Sequence, residues 1–182
     1  AIVKLSPDGD VIFIKSVSEI FIENEMEYLL FSMGHPSFFN DPIHLNDIQP
    51  VNFDSLYWKK GDVFLSLRSQ SMVMLYRPST NKIIWHDTGK FYHQHDVDIL
   101  DESRISILNN NSKFLYNGDV VDGHNEVLIY DFSKDEYIPY LSASLILNDV
   151  RTVGQGRSEI LPNGDLFFEE TEFGRTLYFN SD

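Results

Sequence analysis

Runs of β-branched, aromatic and aliphatic residues, each about five to eight residues long, recur along the chain between clusters of turn-forming residues. AIVKL precedes Pro7-Asp8-Gly9-Asp10 and VIFIK, and SEIL precedes Pro162-Asn163-Gly164-Asp165 and LFFEE. Asp-Gly and Asn-Gly supply the positive φ of a tight turn, so both segments predict hairpins. Lys59-Lys60-Gly61-Asp62 leads into VFLSLR, Pro78-Ser79-Thr80-Asn81 joins MVMLYR to KIIWH, and Ser133-Lys134-Asp135 joins EVLIYDF to EYIPYL. The one helical candidate is Ser18 to Phe31, where Ile20, Leu29 and Phe31 do not form a clean helical stripe. Everything else reads as strand and turn.

The strands repeat as groups. Aligning HLNDIQPV, QHDVDIL and GRSEIL places Ile48, Ile99 and Ile160 in register, at spacings of 51 and 61 residues. A period of this size with four strands per unit predicts an all-β fold, a β-propeller segment of about three four-stranded blades. The blades are expected at 43–85, 91–140 and 152–182, with 1–16 as the closing hairpin of a preceding blade. The extra length of the second unit falls in Asn109 to Asn125, a polar stretch that predicts a surface loop. RTLYFN ends without a following partner strand, so the segment is expected to need the remaining blades of a ring to cover its edges. Taken alone it is expected to be marginal or self-associating.

Composition narrows the partners. Of the 182 residues 42% are apolar and 14% aromatic, enough for a packed core. Lys and Arg number 14 against 28 Asp and Glu, a net charge of −14 that disfavours nucleic acid. The acids are scattered, as on a solvated surface. No cysteine is present, which removes disulfide and thiolate chemistry but leaves the compartment open. No apolar run approaches the roughly 20 residues of a membrane-spanning helix, and the first ten residues lack the layout of a signal peptide.

The first strand of each predicted blade lines the channel of a propeller, and here those strands carry polar cargo. The first offers His44 and Asn46, with Arg68 closing its second strand; the second offers His93, Gln94, His95 and Asp96; the third offers Gln155 and Arg157. The ordered set IHLNDIQPV, SLRSQSMVMLYRPSTNKIIW, FYHQHDVDIL and ISILNNN resembles the aryl-sulfotransferase family of β-propellers over about Asp41 to Asn111, and more loosely through LPNGDLFFEETEFGRTLYFN. The resemblance implies a six-bladed ring that moves a sulfuryl group from an aryl sulfate to a phenol without a nucleotide or any other cofactor, and possible export from the cytoplasm. It also implies that His95, the histidine of the Q-H pair, is the nucleophile that becomes sulfohistidine. His44 and Arg68 then contact the sulfuryl or reacting phenol oxygens, and Asn46, Gln94 and Arg157 line the substrate site. The family brings at least one further active-site histidine from an earlier blade, so activity is expected of the complete ring rather than of this segment. Asp96 stands where well-known members carry a small hydroxyl residue.

These residue types suit the reaction. Sulfuryl transfer needs a neutral nucleophile in line with the leaving oxygen and fixed positive donors around the sulfur. Neutral imidazole supplies the first, and the forked guanidinium of Arg68 the second. His44 can protonate the departing phenoxide and then deprotonate the incoming phenol. Two other readings stay open: a propeller that only binds, with its histidines bonded in the wall, and a metal site at the His93/His95 pair with Asp96 or Asp98. Trp58 and Trp85 are expected in the core, while His35, His86 and His124 carry no assigned role. Asn109-Asn110-Asn111 is a weak calcium candidate, and Gly174-Arg175 reads as a turn.

Overall fold

The computed structural model describes residues 1–32, 41–115 and 118–181; His35 lies outside them. Fifteen strands in antiparallel sheets dominate the described residues, so the chain is all-β. β1 (Ile2–Leu5) and β2 (Val11–Lys15) form a hairpin closed by Gly9 at φ +90°. α1 (Val17–Glu23) and α2 (Tyr28–Phe31) follow in place of the single helix expected. The break has a local cause: Glu25 adopts φ +62°, and the Met26 amide turns back to the Phe21 carbonyl at 2.9 Å.

The first large sheet has the order β3 (Leu45–Pro50), β4 (Val63–Leu67), β5 (Met72–Arg77), β6 (Lys82–Thr88). β7 (His95–Ile99) and β8 (Arg104–Asn109) belong to the second, which β11 (Glu126–Asp131) and β12 (Glu136–Tyr140) complete in the order β7-β8-β11-β12. Between β8 and β11 the chain makes a separate hairpin, β9 (Ser112–Leu115) with β10 (Gly118–Val121), where a loop was expected. α3 (Ser142–Leu147), unforeseen in the sequence, leads to a three-stranded sheet, β13 (Arg157–Ile160), β14 (Leu166–Glu170) and β15 (Arg175–Phe179). Among the described residues no helix is long and apolar enough to cross a membrane.

The middle strands are buried on both faces, which is why β4, β5, β8 and β11 are almost continuously apolar. The period of two then sends alternate residues to different neighbours. Leu65, Leu67, Met72 and Met74 face Val17, Ile20 and Phe21 of α1. Phe64, Val73 and Leu75 face Ile105, Ile107, Leu128 and Tyr130 of the second sheet, together with the fully buried Trp58. On that sheet's other side Leu108 and Val127 meet Leu166 and Phe168 of the third. Trp85 stacks on Tyr130, with ring centroids 5.0 Å apart, in the same layer as Trp58.

Edge strands β3 and β7 each carry a register shift, between Leu45 and Asp47 and between His95 and Val97. The inserted residues are Asn46 and Asp96. Matching the two bulges makes Leu45 equivalent to His95 and Gln49 to Ile99, so the alignment of Ile48 with Ile99 is off by one residue.

A buried carboxylate locks the first sheet. Asp62 is 1% exposed, takes both Nε and Nη2 of Arg77 at 2.8 and 2.7 Å, and accepts the Lys59 amide at 2.8 Å. Glu170 holds Arg175 in the same way in the third sheet. Replacing Asp62 with Ala strands the Arg77 guanidinium, and chemical denaturation should register a loss of about 2–4 kcal/mol. Arg77→Lys should lose less, because the charge survives while the fork does not.

Candidate functional site

The polar residues gather where β3, β7 and the segment before β13 approach one another. Turn geometry there is unusual. Of the eleven described non-glycine residues at positive φ, six surround this place: His44, Ser71, His93, Asp96, Asn111 and Gln155. Such conformations cost about 1 kcal/mol or more each and persist where the surroundings hold them.

His95 is at the centre and is 8% exposed. Its Nδ1 lies 2.8 Å from Asn110 Oδ1 and 3.1 Å from the His93 carbonyl, both acceptors, so Nδ1 carries the proton. Nε2 accepts the Gln155 amide at 3.1 Å and therefore holds the lone pair. Burial holds the imidazole below the ordinary histidine range, and the Arg68 charge adds to this against the opposing hydrogen bonds to Asn110 and His93. The ring is neutral at pH 7.

Asn110 carries this orientation, and sequence reasoning missed it. Its Nδ2 donates to the Thr152 carbonyl at 3.1 Å and the Gln155 carbonyl at 2.9 Å, and its own carbonyl accepts from Asn125 Nδ2 at 2.6 Å. Asn125 also accepts the Thr152 amide at 2.6 Å. Asn109 accepts the Tyr92 and Asn111 amides at 2.9 Å each. Two of the side-chain oxygens that suggested calcium, those of Asn109 and Asn110, are thus spent on protein donors. Gly156 follows Gln155 at φ +90°, and a Cβ there would sit 3.0 Å from the Glu169 carbonyl, so the segment that touches Nε2 tolerates only glycine.

Arg68 opens a 3-10 turn directly after β4, and its amide donates to the His44 carbonyl at 3.0 Å, which brings the two side chains to one rim. The His44 Nδ1 is 2.9 Å from Asp41 Oδ2, and its side chain is about half exposed. The Arg68 Nη2 donates to Asp119 Oδ2 on β10 at 2.9 Å, a partner with no signal in the sequence. His93 lies beside both, and burial with the Arg68 charge lowers its pKa. Asn46 donates to the Gln94 carbonyl at 2.8 Å. Gln94 is fully buried and donates to Ser66 Oγ and the Met72 carbonyl, so it braces β7 against the first sheet.

His93 and His95 do not lie on one strand. His93 sits at φ +51° ahead of β7, outside the extended backbone that would align residues two apart. Asp96 points instead to the Ser158 amide at 2.6 Å, and among the described residues no three His, Asp or Glu side chains are placed to hold a metal ion.

Arg157 lies at the start of β13. It lines a cleft of ≈ 340 Å³ with Asp47, Asp96, Asp98, Glu159 and Glu169. Asp47 accepts the Val97 amide at 2.9 Å across the gap between edge strands, as Asp96 does for Ser158. Burial pushes Asp96 up to about 7 and Asp98 up to about 6, the neighbouring carboxylates adding to both and Arg157 opposing.

The arrangement is a neutral, oriented imidazole with an arginine, two further histidines and a rim of amides. The chain belongs to the arylsulfotransferase (ASST) family, whose model matches residues 1–182. No curated protein matches it at a significant level.

The raised acids link stability to pH. An unfolded aspartate titrates near ~3.9, so between there and about 7 the folded chain binds more protons, and stability contributed by Asp96 and Asp98 falls as pH rises through that window. Asp98→Asn should therefore raise the melting temperature at pH 8 and leave it unchanged at pH 4. Parallel melting curves for the two proteins across that range would contradict this.

Proposed function

We propose that the three sheets are consecutive blades, at 43–85, 91–140 and 152–182, of a six-bladed propeller completed by the rest of the ring, and that its channel carries sulfuryl transfer from an aryl sulfate to a phenol. The face-to-face packing of the sheets and their edge strands meeting at His95 support this reading. The observation that carries the chemistry is the His95 tautomer: Asn110 keeps the proton on Nδ1 and leaves the Nε2 lone pair for attack.

In the first half-reaction the donor displaces the Gln155 amide from Nε2. The Nε2–S bond forms as the S–O(aryl) bond breaks, and the departing oxygen keeps the bonding pair and takes a proton from His44. Sulfonation leaves positive charge on the ring, which the Nδ1–H bond to Asn110 Oδ1 stabilises. In the second half-reaction His44 takes the proton of the incoming phenol, whose oxygen attacks sulfur and releases Nε2. Arg68 balances charge on the sulfuryl oxygens. Asn46 and Gln94 hold the His95 strand in place, and Arg157 serves the cleft side of the channel.

In the full-length protein, brief incubation with 4-nitrophenyl sulfate should give a sulfonated His95 by mass spectrometry. His95→Ala should abolish both the adduct and turnover. His44→Ala should slow turnover by about 10²–10⁴ while still permitting the adduct with good leaving groups. Asn110→Ala should slow adduct formation at least about tenfold, because the tautomer is no longer imposed. Near-normal turnover in His95→Ala would overturn the mechanism and leave a channel that binds without reacting.

A further inference from the structure

The Arg68–Asp119 contact has no place in the transfer chemistry. Asp119 comes from the β9–β10 hairpin, inserted between the second and third strands of its sheet. The contact is single: Nη2 to Oδ2 is the one hydrogen bond the guanidinium makes among the described residues. Asp119 Oδ1 is buried with no hydrogen-bond partner among them, and the same is true of His93 Nδ1. Both side chains of the pair are largely covered, 19% and 25% exposed.

A carboxylate here is at odds with anion binding. Arg68 and Asp119 sum to zero charge, and the chain around them carries −14. A sulfate monoester approaching Arg68 with Asp119 in place is repelled by the carboxylate about as strongly as the guanidinium attracts it. The ester, however, has three sulfuryl oxygens and can take the fork through two donors at once, whereas Asp119 uses one. We propose that Asp119 is an internal anion that latches Arg68 in the empty site, and that tetrahedral oxyanions must displace it to bind, so the inserted hairpin sets the affinity of the site. The proposal rests on Arg68 being the sulfuryl-binding arginine.

The hairpin has other anchors. Lys113 pairs with Asp122 at 2.5 Å, and the Asp122 amide donates to the Asn111 carbonyl at 2.8 Å, so Asp119→Asn should fold. Calorimetry with inorganic sulfate on the full-length protein tests the latch. A latch closed about nine-tenths of the time weakens apparent affinity about tenfold, so Asp119→Asn should bind sulfate about tenfold more tightly. Replacing 112–121 with a short turn should act in the same direction, and Arg68→Ala should abolish the gain. Asp119 also raises the His93 pKa, so the His93 ring resonances should titrate at lower pH in Asp119→Asn. Unchanged or weaker sulfate binding in both Asp119→Asn and the shortened hairpin would overturn the latch, as would a gain that survives Arg68→Ala. Failure to sulfonate His95 would sink the transfer mechanism alone, because sulfate affinity is read without turnover.

Discussion

One side chain ties the second sheet to the third at the place where chemistry is expected. Asn110 offers its oxygen to His95 Nδ1 and its two N–H groups to the Thr152 and Gln155 carbonyls. It is wholly buried, so these bonds form without competition from water, and each would be costly to leave unmade. The segment so fastened contains the Gln155 amide that reaches the other nitrogen of the same ring. Both nitrogens of His95 are thus defined by one amide and the loop it holds. Asn125 and Thr152 complete the network, which makes the orientation of the imidazole a property of two sheets rather than of its own strand.

Charge is partitioned around that ring. On one side are Arg68, His44 and His93, where burial and the Arg68 charge hold His93 and His95 below the ordinary histidine range. On the other are Asp47, Asp96 and Asp98, two of which spend an oxygen on the amide of a neighbouring edge strand. Edge strands carry unpaired N–H groups that invite unwanted pairing. Here carboxylates of β3 and β7 satisfy two of them, at the cost of holding several acids in a half-buried cleft where they repel one another. Arg157 offsets part of that repulsion.

Asp96 links the two halves of this arrangement. It is the inserted residue of the β7 bulge, sits at φ +53°, and reaches Ser158. The bulge lets His95 turn toward Asn110 while Val97, two residues on, packs in the core between the first and second sheets. Asp96 therefore acts as a structural joint between sheets, and its place after the Q-H pair is explained by the Ser158 amide it accepts.

Much was legible before any coordinates. Alternating apolar runs and Asp-Gly or Asn-Gly turns marked the strands, because the pleat demands a period of two and tight turns demand positive φ. The ordered residues around His44, Arg68 and His95 marked the family. Other features had no local signal. α3 is short, and a helix of six residues draws its stability from packing Leu145 rather than from its own sequence. The bulges at Asn46 and Asp96 are polar insertions that the apolar pattern does not mark. Asn110 and Asp119 meet their partners 15 and 51 residues away, and Gln155 meets His95 across 60. The sequence by itself determined the strands, the turns between them and the ordered polar residues that mark the family. Only the tertiary structure decided which nitrogen of His95 carries the proton and what Arg68 holds, because hydrogen bonds between distant segments exist only once the sheets have stacked.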